Sequence, residues 1–335
     1  MDYSQLISIE NLFQAWEEFK NNKRNKRDVQ LFERHLEDNL FDLYFALKTK
    51  SYKHGGYFEF FVNDPKRRHI HKAQVCDRIV HHLLYKNLYS LFDTTFIYDS
   101  YSCRLDKGTH RAVRRLEKYA RTVSKNYTQE CWALKLDIKQ FFASVDQDIL
   151  MGLIAKRVKD KDILLLLNEI LSSFSTKESQ GVGIPLGNLT SQIFANIHLN
   201  ELDQFIKHDL RIKYYIRYAD DFVILNTEKL QLKPQLIAIG NFLLGNLKLQ
   251  LHPKKIILRK LTSGIDFCGY IVLPHYILPR TKTKRRIFKK VIKSDPTNQS
   301  LQSYLGYFSH TKTHNTRLQL KNLFWLNNFS DQQIN

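Results

Sequence analysis

Cysteine is sparse. Cys76, Cys103, Cys131 and Cys268 are the four in 335 residues, and they stand at no paired metal-ligand spacing and in no secretory context, so neither a zinc site nor a disulfide framework is expected. They read as reduced core residues. The first ten residues lack the basic-then-apolar order of a secretion signal, and no apolar run approaches the roughly 20 residues that cross a bilayer. A cytoplasmic protein with no membrane attachment is the expectation. Internal repeats and low-complexity tracts are also missing, so the pattern must be sought in scattered motifs.

Acidic residues are outnumbered, 33 Asp and Glu against 52 Lys and Arg, for a formal charge of +19. Such an excess is a statement about partners, and a polyanion is the natural one. Nucleic acid fits better than a membrane, because the basic residues are spread along the chain and interleaved with aromatics. A basic enzyme acting on a small substrate is the other reading of the charge. With 43% hydrophobic and 13% aromatic residues, the chain can bury a sizeable core, and its length suggests two or three subdomains.

Residues 10–49 read as two helices, the second with Leu31, Leu36, Leu40, Leu43 and Leu47 on one apolar face. The basic join Lys23 to Arg27 is a solvated loop or a nucleic-acid contact. Tyr57 to Val62 is strand-like, Asn63-Asp64-Pro65 signals a turn, and Lys66-Arg67-Arg68-His69-Ile70 completes a basic hairpin. Helical spacing resumes from Asp77 to Leu91, where His81 and His82 are ordinary helix residues rather than ligands. A loop from Gly181 to Thr190 leads into a helix with Ile193, Phe194, Ile197, Leu202, Phe205 and Ile206 on one side, capped by Asn188 or Thr190. After Pro274 and Pro279, residues 280–293 hold eight basic residues among fourteen. Ile287, Phe288, Val291 and Ile292 make this an amphipathic helix. It can grip a duplex, lie on anionic lipid, or present a solvated face.

The chemistry concentrates in three carboxylates. The strand Cys131 to Leu136 ends on Asp137, and Tyr218-Ala219-Asp220-Asp221 forms the tip of a hairpin between the apolar runs Tyr214-Tyr215-Ile216 and Phe222 to Leu225. Adjacent carboxylates at a turn are costly unless a positive charge sits on them, and a solvated turn is the alternative. Hard divalent cations take such oxygen ligands, Mg²⁺ typically through one or two carboxylates plus substrate phosphates. Two ions about 3.5–4 Å apart would activate a 3′-hydroxyl and stabilise a leaving pyrophosphate.

Taken with the flanking motifs, the chain resembles a reverse transcriptase along nearly its whole length. Lys66 and Arg68 fit the basic finger hairpin, and Asp137 to Phe142 fit the first catalytic palm motif. Leu186-Gly187 through Ser191-Gln192 fit the motif supporting the template base and nucleotide, and Tyr218 to Asp221 fit the second catalytic motif. His252-Pro253-Lys254-Lys255 and Phe267-Cys268-Gly269-Tyr270 look like the lysine motif and the primer grip. The resemblance implies an α+β right-hand polymerase fold with fingers, palm and a helical thumb. Its implied boundaries are a helical extension over 1–50, fingers over 51–184 including the first palm strand and the catalytic motif at 131–146, palm over 185–273, and thumb over 274–335.

By the same resemblance, Asp137 and Asp220 ligate two Mg²⁺ ions, or Mn²⁺, with Asp221 completing the cluster and the Ile138 carbonyl as a further ligand. Lys66 and Arg68 neutralise the triphosphate, roles suited to a point charge and a forked donor. Phe142 closes the site to a 2′-hydroxyl or is a core ring beside Phe141. Lys255 protonates the pyrophosphate or is structural. Phe267, Gly269 and Tyr270 hold the primer end through backbone and ring contacts, or form a plain core strand. Arg280, Lys282, Lys284, Arg285, Arg286, Lys289 and Lys290 track phosphates of an A-form hybrid.

Within that family, Leu186 before Gly187 and Gln192 after Ser191 resemble the enzymes of diversity-generating retroelements. The run from Asp99 to His110, the GVGIP lead-in and a chain ending after a short thumb agree. The implied activity is cDNA synthesis on a template-repeat RNA, with errors at template adenines connected to Arg68 and Leu186. The implied partners are the RNA and its cDNA hybrid, deoxynucleotides and a small basic accessory protein that oligomerises. A bacterial, archaeal or phage source is implied. The alternatives are a retron-, intron- or defence-associated reverse transcriptase and an inactive RNA-binding scaffold.

Overall fold

The computed structural model describes residues 2–64, 66–175, 180–293 and 298–330. Pro65, the last residue of the expected turn, lies outside the described residues. The chain forms two compact units from alternating segments: Met1–Tyr98, Ile138–Leu210 and Ala238–His252 in one, and Asp99–Asp137, Arg211–Ile237 and Pro253–Asn335 in the other.

The first unit is mainly helical. Ser8 starts the helix Ile9–Lys20 by accepting from the Asn11 amide, satisfying one of the free amides of a helix start. The second helix expected before residue 50 is divided into Arg27–Glu33 and Leu36–Lys48. His35 lies outside helical geometry between them. The break removes Leu31, 51% exposed, from the face on which Leu40, Leu43 and Leu47 are buried. The basic segment then forms a hairpin of β1 (Phe58–Val62) and β2 (Arg68–Lys72), with Glu59 opposite His71 and Phe61 opposite His69.

Asn188 does occupy the cap position of the helix Leu189–Gln204, but its side chain makes no capping bond. Its amide is committed to the end of the hairpin instead, Nδ2 donating to the His71 carbonyl at 2.9 Å and Oδ1 accepting from the Ala73 amide at 3.3 Å. Thr190 does not cap either, since its hydroxyl pairs with His81 Nδ1. Burial pushes the His81 ring down to about 3, so it is a neutral core residue there.

The second unit holds β3 (Trp132–Asp137), β4 (Tyr215–Tyr218), β5 (Asp221–Asn226) and β6 (Ile257–Lys260) in the antiparallel order β4-β5-β3-β6. A second antiparallel sheet follows, of β7 (Ile265–Phe267), β8 (Tyr270–Leu273) and β9 (Tyr276–Pro279). Alternation along β3 and β5 puts Ala133, Val223 and Leu225 in one core with Ala112, Leu116 and Ala120 of the helix Thr109–Val123. Leu134, Leu136, Phe222 and Ile224 are buried on the other face. At about 1.5–3 kcal/mol per buried large apolar side chain, both faces bind these strands firmly.

The C-terminal helices Thr281–Lys293, Asn298–Ser309 and His314–Ser330 enclose a separate cluster of Ile287, Val291, Leu301, Phe308, Leu320 and Phe324. Ile292 does not join it and is 58% exposed, because a residue one step past the i, i+4 pair is rotated by about 100° from the apolar stripe. The cysteines divide as well. Cys131 is buried, Cys76 and Cys268 are half-buried, and Cys103 lies at the surface rather than in a core.

Gly187 connects loop and hairpin. Its φ is +120°, and a Cβ there would lie 2.7 Å from Ile70 Cγ2. Gly187→Ala is expected to destabilise the protein by about 1–3 kcal/mol, from backbone strain and overpacking. Gly56→Ala, where nothing lies within 4 Å, should stay within about 0.5 kcal/mol. Urea unfolding midpoints of the two variants test the difference.

Candidate active site

Strand pairing brings the acidic residues together. Asp137 is the direct cross-strand partner of Asp221, and Tyr218 pairs with Asp221 across the two-residue turn Ala219-Asp220. Ala219 takes a left-handed φ of 54° to make that turn. Like charges placed opposite each other on a sheet oppose folding by about 0.2–1 kcal/mol, so a counter-charge is required. Two stand among the described residues. Lys255 Nζ lies 2.6 Å from Asp137 Oδ1, and Lys135 Nζ lies 2.8 Å from Asp221 Oδ2.

Lys135 escaped sequence reasoning because a lysine inside an alternating strand reads as a solvent-facing residue. Here its side chain is only 13% exposed, and its ammonium also donates to the Asp266 carbonyl at 2.6 Å. Arg217 was missed for a similar reason. It is fully buried, donating to the Ala219 carbonyl at 3.1 Å and to the Ser100 hydroxyl at 3.0 Å. Since its backbone also pairs with the 99–101 segment, Arg217 fixes the turn carrying Asp220 from two directions.

Charge within the cluster is not fully balanced. Asp221 Oδ1 is buried without a hydrogen-bond partner. Its carboxyl is pushed up to about 6, first by burial, with Asp137 and Asp220 adding to the rise and Lys135 opposing it. An orphaned carboxylate oxygen among three aspartates is the donor chemistry of a hard divalent cation. Asp137, Asp220 and Asp221 offer the donor chemistry for such an ion. Ile138, whose carbonyl the resemblance adds to this set, follows Asp137 in the chain and pairs with Leu251 in an isolated bridge.

Several of the other nucleotide-binding candidates are joined by backbone bonds within the first unit. The Leu186 carbonyl accepts from the His71 amide at 2.9 Å, and the Ile184 amide donates to the Phe142 carbonyl at 2.7 Å. Strand β2, which begins at Arg68, is thereby joined to the loop of Leu186 and Gly187, and that loop to the segment of Phe142. Phe141 is the buried ring and Phe142 the half-buried one; Lys66, Arg68 and Gln192 are exposed, and Leu186 is half-buried.

Of the two readings of the primer-grip candidates, ring contacts or a core strand, the burial of the rings fits the second. Phe267 and Tyr270 are 0% and 1% exposed, packed in the core beneath the helix Thr109–Val123, and the Tyr270 hydroxyl donates to the Tyr307 carbonyl at 3.0 Å. The Gly269 carbonyl is also engaged, by the Tyr307 hydroxyl at 2.6 Å and the Arg280 amide at 3.0 Å. On the basic helix, Arg280 pairs with Asp266 and Lys284 donates to Thr316 at 3.1 Å. Lys282, Arg285, Lys289 and Lys290 are exposed, and Arg286 is half-buried.

Residues 62–272 match the family described as reverse transcriptase (RNA-dependent DNA polymerase). The chain belongs to the reverse transcriptase family. The COX1/OXI3 intron 2 protein of Saccharomyces cerevisiae is 23% identical over 297 residues, covering 70% of this chain and 32% of that protein. The group II intron-encoded protein LtrA of Lactococcus lactis is 26% identical over 156 residues, 45% of this chain and 25% of LtrA. This reverse transcriptase chain thus spans a third or less of these curated relatives. Its fold resembles telomerase from Candida albicans, solved with a fragment of telomeric RNA, at TM-score 0.52 and 12% identity over 88% of this chain and 64% of that one. The α+β architecture of helices and antiparallel sheets is therefore that of a reverse transcriptase.

The raised Asp221 carboxyl gives a pH prediction. A folded pKa above the unfolded value near 3.8 means that this group's stabilisation is present below about pH 4 and lost as pH rises through about 6. A divalent cation needs the ionised form. The Mg²⁺-induced rise in Tm should be full above pH 7 and fade as pH falls through about 6. Lys135→Met, which removes a charge lowering that pKa, should move the fade to higher pH. Thermal melts with and without Mg²⁺ across pH 5–8 measure both, and a shift to lower pH in Lys135→Met would refute the neutralising role.

Proposed function

We propose that this chain is an RNA-directed DNA polymerase in which Asp137, Asp220 and Asp221 form the catalytic cluster. The observation that carries the reading is the Asp137–Asp221 cross-strand pair with the buried, unpartnered Asp221 Oδ1. When bound, two divalent ions, Mg²⁺ or Mn²⁺, would activate the primer 3′-hydroxyl and neutralise the leaving pyrophosphate. Asp137 and Asp220 would hold them, with Asp221 and the Ile138 carbonyl completing the set. Arg217 holds the Asp220 turn in place, and Lys135 keeps Asp221 ionised near neutrality. Lys255 is positioned on Asp137 and passes a proton to the pyrophosphate.

In this reading residues 51–184 are the fingers together with the first palm strand, 185–273 the palm, 274–335 the thumb, and 1–50 a helical extension. Lys66 and Arg68 receive the triphosphate. Phe142 excludes a 2′-hydroxyl, supported by its being the less buried of two adjacent rings. Gly187 and Gln192 back the nucleotide, and the exposed cations Lys282, Arg285, Lys289 and Lys290 follow hybrid phosphates. A further groove, lined by Arg114, Lys118, Arg121, Lys125 and Lys312 with one acidic residue, Glu117, among them, suits a polyanionic partner beyond the primer-template.

The finer reading is a diversity-generating retroelement enzyme, copying a template-repeat RNA with errors at adenine alongside a small basic accessory protein. What supports it is the string from Leu186 to Gln192, and the bond that ties Leu186 to the strand of Arg68; loose support of the base pair weakens discrimination against a mismatch. Similarity to intron-encoded LtrA favours an intron-type enzyme as the second reading.

Primer extension on an RNA template with Mg²⁺ tests the core. Asp137→Ala or Asp220→Ala should lower incorporation by about a thousandfold or more, in line with loss of a metal clamp worth several kcal/mol. Undiminished extension by either would overturn the catalytic assignment, and no extension by the parent would leave an RNA-binding scaffold. Phe142→Ala should admit ribonucleotides. Leu186→Gln should retain polymerisation and lower misincorporation opposite adenine; an unchanged error spectrum in sequenced cDNA would remove Leu186 from that role.

A further inference from the structure

The basic hairpin carries a second cluster that the polymerase reading does not use. On one face of the β1–β2 ribbon stand Glu59, His69 and His71, with Glu59 directly opposite His71 and His69 two residues along the same strand, which puts the two imidazoles on one side. Their ligand atoms all lie within 4.8 Å of one another. His69 Nε2 is 3.0 Å and His71 Nε2 3.9 Å from the two oxygens of the Glu59 carboxylate.

Those separations, though they run to different oxygens of Glu59, are close to the edges of a coordination polyhedron. With metal–ligand bonds of about 2.0–2.1 Å, the edge of a tetrahedron of nitrogen and oxygen ligands is about 3.3 Å, between the two observed distances. Two imidazoles and a carboxylate are donors for borderline divalent ions of the zinc class, not for the Mg²⁺ that suits the aspartate cluster. His71 is the informative member. Its Nε2 is the atom turned to Glu59, and its Nδ1 is buried without a partner, so neither ring nitrogen is committed to another protein group at short range.

Nearby cations do not disqualify the site. Arg68 and Lys72 alternate onto the opposite face of β2, where Lys72 pairs with Asp28 at 2.7 Å. Arg67 stacks over Phe61, 4.2 Å from its ring centre. The backbone of His71 is meanwhile gripped on both sides, its amide donating to Leu186 and its carbonyl accepting from Asn188.

We propose that Glu59, His69 and His71 bind one divalent ion of the zinc class, with water in the open position, and that the ion clamps β1 to β2 and, through His71, to the Leu186–Asn188 loop. Such an ion crosslinks the two strands, and it fixes the residue on which the loop is hung. Neither statement depends on polymerase activity.

The test uses tag-free full-length protein with millimolar Mg²⁺ present to occupy the aspartates, and Co²⁺ and Zn²⁺ as probes. The expected result is saturable uptake of one ion per chain, with Co²⁺ absorption of nitrogen and oxygen ligation. Affinity should fall about tenfold or more in Glu59→Gln, His69→Gln and His71→Gln, and stay unchanged in His35→Gln, an exposed histidine elsewhere. No saturable uptake by the parent, or uptake that survives in both Glu59→Gln and His69→Gln, overturns the site. Hydrogen exchange reads the clamp: Zn²⁺ should slow the His71 amide by about tenfold, and unchanged exchange in saturated protein overturns the clamping.

Discussion

The register between β3 and β5 is the constraint on which the aspartate cluster rests. It places Asp137 against Asp221 and Lys135 one pleat behind them. A slip of one residue would turn Ala133, Lys135 and Asp137 to the opposite face. The strands resist it because both faces are filled: Leu134, Leu136, Phe222 and Ile224 on one side, Ala133, Val223 and Leu225 on the other, all at most 2% exposed. Hydrophobic burial thus holds together two carboxylates that electrostatics alone would separate, and the cluster's appetite for cations is a consequence of packing.

The first unit has a corresponding hub at His71. One residue takes the Leu186 carbonyl on its amide, gives its own carbonyl to Asn188, and stands opposite Glu59 across the hairpin. Gly187 is required there because Ile70 leaves no room for a Cβ. Asn188 forgoes the helix cap its position offers in order to make this contact. The loop and the hairpin are therefore one structural element, although 115 residues separate Ala73 from Asn188. A change in either alters how the other presents its side chains.

How much of this the chain discloses unfolded follows from where each signal resides. Asp137, Asp220 and Asp221 were legible because strand periodicity stops at them, and a carboxylate at a strand end or turn is a local feature. The hairpin of β1 and β2 was legible through its turn and β-rich flanks. Lys135 and Arg217 were not, because a charged residue in a strand reads as solvent-facing until its partners, Asp221, Asp266, Ser100 and the Ala219 carbonyl, arrive from distant segments. The rings of Phe267 and Tyr270 were left between two readings for the converse reason. Their aromatic character is equally that of a core strand, and only the overlying helix Thr109–Val123 and Tyr307 decide in favour of the core.

The two lysines of the cluster differ in a way that bears on mechanism. Lys135 is 13% exposed and held at both Asp221 and the Asp266 carbonyl, so moving its ammonium would strand a buried carboxylate and a buried cation together, each expensive to leave unpaired. It acts as a fixed charge. Lys255 is 40% exposed and stands at the end of a single 3₁₀ turn, Pro253–Lys255, where its long side chain can leave Asp137 for solvent or for a phosphate at little cost. A cation arriving at Asp137 competes directly with Lys255, not with Lys135. Of these two ammoniums, occupancy of the cluster would therefore release the more mobile one, beside Asp137.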